Sequence, residues 1–349
     1  MSAPNVLAIG DRVWWPHTAT TVRYGTVAVV DEDRPGVLPD DDPDLVYLDP
    51  GQPQLFADLP DGQYGWISEG DYHADRKRLS STGARLLLPP SVPARFRWVQ
   101  DHPQPPKRAY DIGHVAHREI LGKGAEITVL DPDVHGLTKD GKPAANPRAT
   151  AGWKEAEADA RRRGTVPIHA DDYMAAQRMA AEVFAHPDAG WILADGAAEM
   201  SLYATGPFGV PMRARPDSMS YPDGNRLWMA DVKTSTTADP AEFARKAADF
   251  GYHIQAAFYR CVAQLLGLDT DPAFVFIVVE KEPPHLVSVV EWDAEAMAEG
   301  DRLVGQALAT YARCVETGEW PGYLPGIQPI RLPAWAIHRE TLADLLEGN

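Results

Sequence analysis

The chain contains few cysteines and no long apolar segment, and both shortages limit what it can be. Cys261 and Cys314 are the only thiols in 349 residues, which excludes a disulfide framework and a four-cysteine iron–sulfur cluster. No apolar run reaches the length of about 18 residues that a membrane helix needs. The opening segment MSAPNVLAIG also lacks the charged region that begins a signal peptide. We therefore expect a cytoplasmic protein with no membrane partner.

Positive charge is also scarce, with 33 Lys and Arg against 50 Asp and Glu and a net charge of −17. Such a balance disfavours binding to DNA, because neutralisation of phosphates by Lys and Arg dominates affinity. The acidic excess is concentrated in residues 1–75, which carry a net charge of −11 and leave −6 for the rest. Residues 95–123 and residues 139–163 each carry a net charge of +3. The electrostatic field near a binding groove matters more than the net charge of the whole chain. These two stretches are candidate DNA tracks, or alternatively solvated helix faces.

Residues 1–75 read as a separate small domain ahead of a larger one at residues 78–349. Short alternating segments, GDRVWWP, RYGTVAVVD, DLVYLDPG and YGWISEGDYH, are divided by Pro, Gly and Asp turns. This pattern predicts a small SH3-like β-barrel. The acidic loop GVLPDDDPD disfavours direct contact with DNA, which leaves the docking of a protein partner or a contribution to stability and solubility as alternatives.

The segment PDSMSYPDGNRLWMADVKTS, residues 216–235, contains the most informative pattern. RARPDSMSY and RLWMADVKT alternate like strands around the turn signal at residues 222–225, which predicts a β-hairpin. If the turn is centred on Gly224, residues whose numbers sum to 448 face each other, so Asp217 lies opposite Asp231. Directly opposed like charges, with Cα atoms about 4.5–5.5 Å apart, destabilise a sheet unless a cation lies between them.

Lys233 follows Asp231 by two residues and shares its face of the strand, about 6–7 Å further along. Two carboxylates hold a hard divalent metal, and a lysine orients or deprotonates the attacking water, so this set suits the hydrolysis of phosphodiesters. The alternative is a surface hairpin with an Asp–Lys ion pair worth at most about 1 kcal/mol.

Three further segments carry polar residues at informative positions. AYDIGHVAHREILG has helical period and contains Gly113 and His117, whereas GAAEMSLYATG places Glu199 in an alternating strand before the hairpin. GYHIQAAFYRCVAQLLG is an amphipathic helix with Gln255 and Tyr259 one turn apart on one face. Taken singly, such a histidine or tyrosine is commonly a core residue and such a glutamate an ordinary strand carboxylate.

In this order, the motifs G-x-x-x-H, E, P-D, D-x-K and Q-x-x-x-Y resemble the RecB/RecE-like branch of the PD-(D/E)xK nuclease superfamily, and more closely its phage and prophage exonucleases. The resemblance covers about residues 78–335. It includes the segments LSSTGARLLLPPSVPARFRW and CVETGEWPGYLPGIQPIRLPAW. It implies an α/β, restriction-endonuclease-like core, in which helices flank a mixed sheet, behind the N-terminal barrel.

The resemblance also assigns roles to individual residues. Lys233 becomes the catalytic lysine, while Gln255 and Tyr259 position the active site and the DNA. A Mg²⁺ or Mn²⁺ ion is implied, with ligands from His117, Glu199, Asp217, Asp231 and the carbonyl group of Val232.

The implied reaction is exonucleolytic hydrolysis of DNA from duplex ends, running 5′ to 3′ and leaving a 3′ single strand for an annealing protein. A role in phage recombination or DNA repair follows from the same resemblance, which also leaves room for a homo-oligomer. The alternatives are an endonuclease or single-strand nuclease of the same superfamily, and a non-catalytic DNA-binding adaptor.

A phosphate site is predicted at the start of the larger domain. Ser80, Ser81 and Thr82 precede the apolar run ARLLL, where a helix N-cap and its free backbone N–H groups can bind an anion. Arg85 lies one turn further in and adds a charged donor. A comparable pocket anchors the terminal 5′-phosphate in the exonucleases that the chain resembles. The alternative is an ordinary capped helix.

Overall fold

The computed structural model describes residues 11–16, 22–31, 34–40, 45–48, 54–55, 59–102 and 112–333. The first five strands are β1 (Arg12–Pro16), β2 (Val22–Asp31), β3 (Arg34–Pro39), β4 (Val46–Tyr47) and β5 (Gln54–Leu55). They form an antiparallel sheet in the order β4-β3-β2-β1-β5. A small core that includes Val13, Trp15, Val27 and Val37 lies on it.

This sheet is open, so the predicted closed SH3-like barrel is not found in the described part of the chain. The outer strands β4 and β5 contain two residues each, and neither pairs with the other across the sheet. Closure of a barrel requires strands long enough to tilt and stagger around its axis, which these edge strands are not.

The remaining elements, in chain order, are β6 (Gly62–Tyr64), α1 (Glu69–Ala74), α2 (Ser81–Leu86), α3 (Pro93–Asp101), α4 (Ile112–Leu121), β7 (Ile127–Leu130), α5 (Pro132–His135), α6 (Ala151–Arg162), β8 (Val166–His169), α7 (Ala170–Ala185), α8 (Pro187–Leu193), β9 (Ala197–Ala198), β10 (Ser201–Thr205), β11 (Pro211–Ala214), β12 (Ser218–Ser220), β13 (Trp228–Ser235), α9 (Pro240–Asp249), α10 (Tyr252–Leu265), β14 (Ala273–Glu280), β15 (Val287–Val290) and α11 (Ala294–Thr317).

The main sheet has the order β15-β14-β13-β12-β9 and is mixed, because β13 and β14 run parallel while the other neighbours are antiparallel. β14, with the sequence AFVFIVVE, is buried along almost its whole length, as expected of a strand covered on both faces. One apolar cluster packs it against α10 and α11, and a second packs it against α4 and α7. The prediction of a mixed sheet with helices on both faces is therefore confirmed.

The register of the β12–β13 hairpin agrees with the prediction. Ser218 faces Ala230 and Ser220 faces Trp228, pairs whose numbers sum to 448. RARPDSMSY, however, is not one strand. β11 pairs with β10 in a separate sheet of the order β11-β10-β6, and β12 belongs to the main sheet. Pro216 lies at the break, where its missing N–H group interrupts a ladder.

Residues 59–75 pack against the larger domain, so no break in the packing coincides with residue 75. β6 pairs with β10, and Tyr72 of α1 lies in a cluster with Leu59, Ile67 and Tyr203. YGWISEGDYH was predicted as a β segment, yet most of its second half forms α1. The hydroxyl of Ser68 caps this helix by accepting from the N–H of Asp71.

None of the described helices is both long enough and apolar enough to span a membrane.

Candidate active site

The middle of β13 carries an ion pair whose carboxylate is buried. Asp231 is 4% exposed, and its Oδ2 pairs with the ammonium group of Lys233. Its other oxygen, Oδ1, accepts a hydrogen bond of 2.7 Å from the amide of Gln255 on α10. The alternation of β13 therefore places Asp231 and Lys233 on one face, as predicted, and α10 brings Gln255 to the same face.

Burial and neighbouring charges act in opposite directions on this pair. Burial raises the pKa of Asp231 above its usual value; the charge of Lys233 opposes this shift without cancelling it, and the charge of Asp217 adds to it. Burial of Lys233 disfavours its charged form, but the carboxylates of Asp231 and Asp217 prevail and raise its pKa. Lys233 is therefore a protonated hydrogen-bond donor in this arrangement, and not a free base.

A second cluster lies beside the ion pair and consists of His117, Glu199 and Asp217. One ligand atom from each of them lies within 4.8 Å of the others. His117 Nε2 is 2.9 Å from Asp217 Oδ2, and His117 Nδ1 is 3.9 Å from Glu199 Oε1. Two carboxylates and an imidazole thus converge from α4, from the β9–β10 connection and from the residue before β12.

His117 is the cation of this cluster when no metal is bound. Burial lowers its pKa, but the hydrogen bond to Asp217 and the charges of Asp217, Glu199 and Asp231 outweigh burial and raise the pKa to about 9. A protonated imidazole cannot ligate a metal, so metal binding here releases a proton.

Asp217 links the two groups through short contacts. Its Oδ2 accepts a hydrogen bond of 2.6 Å from the backbone N–H of Val232, between Asp231 and Lys233. Its own carbonyl oxygen accepts from the N–H of Glu199 at 3.0 Å. The group of Val232 that contacts Asp217 is therefore the N–H, and the ligand role of the Val232 carbonyl stays a prediction. Asp231 lies next to the three-residue cluster, with its oxygens directed to Lys233 and Gln255, and its ligand role also stays a prediction.

Glu199 does not lie in a strand, contrary to the prediction. It occupies the connection between β9 and β10 with a φ of +54°, a conformation that costs a non-glycine residue of the order of 1–3 kcal/mol and that clusters at functional sites. Its N–H bond to Asp217 and the nearby Arg215, whose Nη1 lies 3.7 Å from Glu199 Oε2, hold it there. Burial and then the charge of Asp217 raise the pKa of Glu199.

Arg215 is a functional candidate that the sequence reading missed. It is buried and donates from Nε to Ser201 Oγ at 2.9 Å and from Nη2 to the carbonyl of Ile67 at 2.7 Å. Its guanidinium carbon lies 4.4 Å from the ring centre of Tyr72. The only local signal is its position two residues before Asp217, and this signal is weak because Arg213 alternates with Arg215 in the same stretch.

Tyr259 lies one helical turn after Gln255 and is buried under the site. It packs edge-on against Phe274 with ring centres 5.6 Å apart. Burial raises its pKa well above the usual range, and the charges of Asp231 and Asp217 add to this. Tyr259 thus combines a core position with proximity to the two carboxylates, while its role in positioning DNA stays a prediction.

The predicted phosphate site has a different set of contacts. Ser80 caps α2 by accepting from the N–H of Gly83 at 3.2 Å, while Ser81 and Thr82 form the first residues of this six-residue helix. Arg85 donates to the backbone carbonyl of Phe250, at the junction of α9 and α10. The guanidinium group is therefore engaged in a backbone contact, and binding of a 5′-phosphate by this segment stays a prediction.

The basic stretch at residues 139–163 is largely neutralised by local ion pairs. Its arginines pair with carboxylates in Arg148–Asp172, Arg161–Glu157, Arg162–Asp159 and Arg163–Asp159. Part of the other stretch, residues 103–111, lies outside the described residues. These ion pairs are typical of a solvated helix face, so a DNA track along 139–163 stays a prediction.

Comparison with known proteins identifies a family to which the chain is similar. The model of a PDDEXK-like domain of unknown function (DUF3799) matches residues 104–333, which include His117, Glu199, Asp217, Asp231 and Lys233. A crystal structure of a protein described as a "putative exonuclease" from Eubacterium rectale aligns with 13% identity and a TM-score of 0.48, covering 81% of this chain and 99% of that chain. No curated protein matches the chain.

Proposed function

The chain belongs to the family of PDDEXK-like domains, and on this premise we propose that it is a metal-dependent exonuclease that hydrolyses DNA from duplex ends. The membership confirms the prediction of the PD-(D/E)xK superfamily. The observation that carries the proposal is the convergence of His117, Glu199 and Asp217 beside the Asp231–Lys233 pair. Perturbed carboxylates in a cluster of this kind are typical of catalytic sites.

The residues fit a divalent ion. Burial and the charge of Asp217 raise the pKa of Glu199, and a cation between the two carboxylates removes their repulsion. A set of carboxylate oxygens with one imidazole suits Mg²⁺ or Mn²⁺ better than a structural zinc ion. His117, Glu199 and Asp217 would hold the ion, with Asp231 adjacent. When bound, such an ion lowers the pKa of its water and neutralises charge on a phosphate.

The protein's own residues supply orientation and a fixed positive charge. Lys233 is protonated and donates to an attacking water or to a phosphate oxygen, which stabilises the charge that develops there. Gln255 fixes the carboxylate of Asp231, and the Val232 N–H fixes that of Asp217. Because these partners are a strand backbone N–H and a partly buried side chain on α10, the site is preorganised and needs little rearrangement during the reaction.

Polarity and pathway follow from the family resemblance alone. We propose degradation from 5′ to 3′, which leaves 3′ single strands for an annealing protein in recombination or repair. An endonuclease or single-strand nuclease of the same superfamily is the main competing function, and a non-catalytic adaptor is disfavoured because Asp217, Asp231 and Lys233 are all present.

The decisive experiment compares linear duplex, closed circular duplex and single-stranded DNA, each with Mg²⁺, using an Asp217→Asn variant as the matched inactive control. With linear duplex, the expected result is early release of a 5′ label in short products and progressive shortening of 3′-labelled strands, while circular duplex stays intact. Cleavage of the circle would identify an endonuclease, and binding without cleavage of any substrate would identify an adaptor.

A further inference from the structure

Phe250, at the end of α9, is an exposed aromatic residue close to the candidate active site. It is 54% exposed, and its ring stacks on that of Tyr252 with 5.7 Å between centres and 25° between planes. Tyr252 stacks in turn on the buried Phe276 at 5.3 Å. Phe250 is therefore the outermost ring of a column that begins in the hydrophobic core.

Lys233 connects this column to the active site. Its ammonium nitrogen lies 5.0 Å from the ring centre of Tyr252 while pairing with Asp231. Phe250 thus lies one ring beyond the residue that contacts the catalytic lysine. Successive nucleotides of one strand of duplex DNA rise about 3.4 Å along the helix axis, so a phosphate held at Lys233 has neighbouring nucleotides within reach of Phe250.

The position of Phe250 is fixed by its backbone. Arg85 of α2 donates to the Phe250 carbonyl, which anchors the junction between α9 and α10. The next residue, Gly251, has a φ of +67°, and a Cβ atom there would lie 2.8 Å from Arg85 Cδ. Only glycine allows this turn together with the close approach of Arg85, so the ring is presented by a rigid support.

A lysine accompanies the aromatic ring. Lys246 is exposed and lies one turn before Phe250 on α9. Its ammonium group donates at 2.8 Å to the hydroxyl of Thr236, just beyond the end of β13, whereas the neighbouring Arg245 pairs with Glu242. A hydroxyl partner leaves the charge of Lys246 in place for an anion.

We propose that Phe250 and Lys246 form a nucleotide platform, on which an unstacked base of the substrate strand packs against Phe250 while Lys246 contacts a phosphate. Aromatic side chains accept any base in this way, because every base has a π-face. Bases inside a duplex have both faces covered, so the platform selects DNA with an open base face, at a duplex end or in a single strand. The inference rests on the proposed nuclease function and deepens it.

The test uses the full-length protein in EDTA, so that binding is measured without cleavage. Duplexes carry 2-aminopurine at successive positions from one end, and both anisotropy and quenching are recorded. Phe250→Ala should weaken binding about 5- to 100-fold and abolish quenching at one position, whereas Phe250→Trp should retain both. Phe184 on α7 is 50% exposed, so Phe184→Ala is the matched control and should behave as wild type.

The Lys246→Ala variant tests the phosphate contact separately from the stacking of a base on Phe250. This variant should weaken binding to all duplexes alike and lower the salt dependence of log K by about one, while leaving the quenched position unchanged. Replacing the quenched base by an abasic site should weaken binding by wild type and leave Phe250→Ala unaffected.

The outcomes separate the platform from the nuclease. If wild type cleaves DNA with Mg²⁺ and Phe250→Ala matches it in affinity and quenching, the platform is wrong and the nuclease function stands. If wild type neither binds nor cleaves DNA, both proposals are wrong. A change in sedimentation of Phe250→Ala with unchanged DNA binding would instead assign this surface to contact between two copies of the chain, and would overturn the platform.

Discussion

At the scale of single residues, Asp231 and Lys233 depend on each other. Asp231→Asn keeps an oxygen that accepts from Gln255, whereas Lys233→Ala leaves a buried carboxylate without its cation. Removing one partner of a buried pair costs about 3–5 kcal/mol when burial is complete. Both substitutions should therefore lower activity, but Lys233→Ala should lower the free energy of unfolding more than Asp231→Asn.

We expect Asp231→Asn and Lys233→Ala each to lower the cleavage rate by at least about 100-fold, the range for loss of an acid–base or metal-associated group. Single-turnover cleavage of labelled linear duplex measures the rate, and thermal melting measures the fold. Lys233→Ala should melt lower than Asp231→Asn. Retention of more than about a tenth of the rate by either folded variant would contradict the assigned site.

The raised pKa of His117 predicts how the free energy of unfolding depends on pH when metal is absent. Its pKa is raised from 6.5 to about 9 in the folded protein, so the charged form stabilises the fold. That contribution is complete below pH 6.5 and is lost as the pH rises from 6.5 to about 9. Urea unfolding in EDTA across this interval should show wild type losing stability, and His117→Gln should lack that component. Parallel curves for the two proteins would show that His117 is not charged.

The sequence marked Asp217, Asp231 and Lys233 as candidates by their strand spacing, and His117 by the order of motifs in the family resemblance. It could not place Glu199 correctly, since a residue with a positive φ is held by tertiary contacts that no local pattern records. Arg215 was missed for a related reason: its partners Ile67 and Tyr72 are far away in the sequence.

At the scale of elements, α1 and the connection between β6 and α1 support the active site. Ile67 and Tyr72 hold Arg215, and Arg215 in turn lies beside Glu199. The open sheet of β1 to β5 reaches this region through the ion pair of Arg12 with Asp71 and through Trp14, which packs against the cluster that contains Tyr72. A partly exposed pair of that kind contributes about 1 kcal/mol or less.

Two N-terminal truncations should therefore differ in cleavage activity. Removing residues 1–58 should leave cleavage largely intact and, because net acidic charge is lost, should strengthen nonspecific DNA binding. Removing residues 1–75 also takes the Ile67 carbonyl and Tyr72, leaves Arg215 buried without these partners, and should abolish activity. Cleavage assays at low salt and circular dichroism of both proteins provide the measurement. Equal activity of the two would show that α1 does not support the site.

Sequence patterns predicted some elements well and others poorly, for identifiable reasons. The hairpin register was predictable because the turn around Gly224 and the period of two fix it together. The helix α1 was missed although Ser68 and Asp71 give an N-cap signal, because the preceding YGWIS reads as a strand. The division of RARPDSMSY between two sheets was unpredictable, since both halves alternate in the same way.

At the scale of the whole molecule, the site draws on residues from α4, the β9–β10 connection, the position before β12, β13 and α10, so it exists only in the folded chain. A ligand that binds only the folded state raises the free energy of unfolding, by about 2.7 kcal/mol at a concentration of 100 times Kd. Metal binding is therefore measurable without any substrate.

We expect Mg²⁺ or Mn²⁺ to raise the melting temperature of wild type, and EDTA to reverse the shift and abolish cleavage. Asp217→Asn should lose both the shift and the activity, because Asp217 contacts His117, Glu199 and Val232. Arg245→Ala, which alters an exposed pair on α9, serves as the control. Full cleavage in EDTA would reject a metal-dependent mechanism.

The pairing of β6 with β10 has a consequence for how the domain is delimited. β6 lies at Gly62–Tyr64, before the family-matched region 104–333, yet it covers one side of β10. A chain that began at residue 104 would expose the backbone groups of β10 along a strand of buried residues, Leu202, Tyr203 and Ala204. Such an uncovered edge favours strand addition between molecules. We therefore expect the segment defined by sequence similarity to be prone to aggregation, and a soluble fragment to require a start before residue 62.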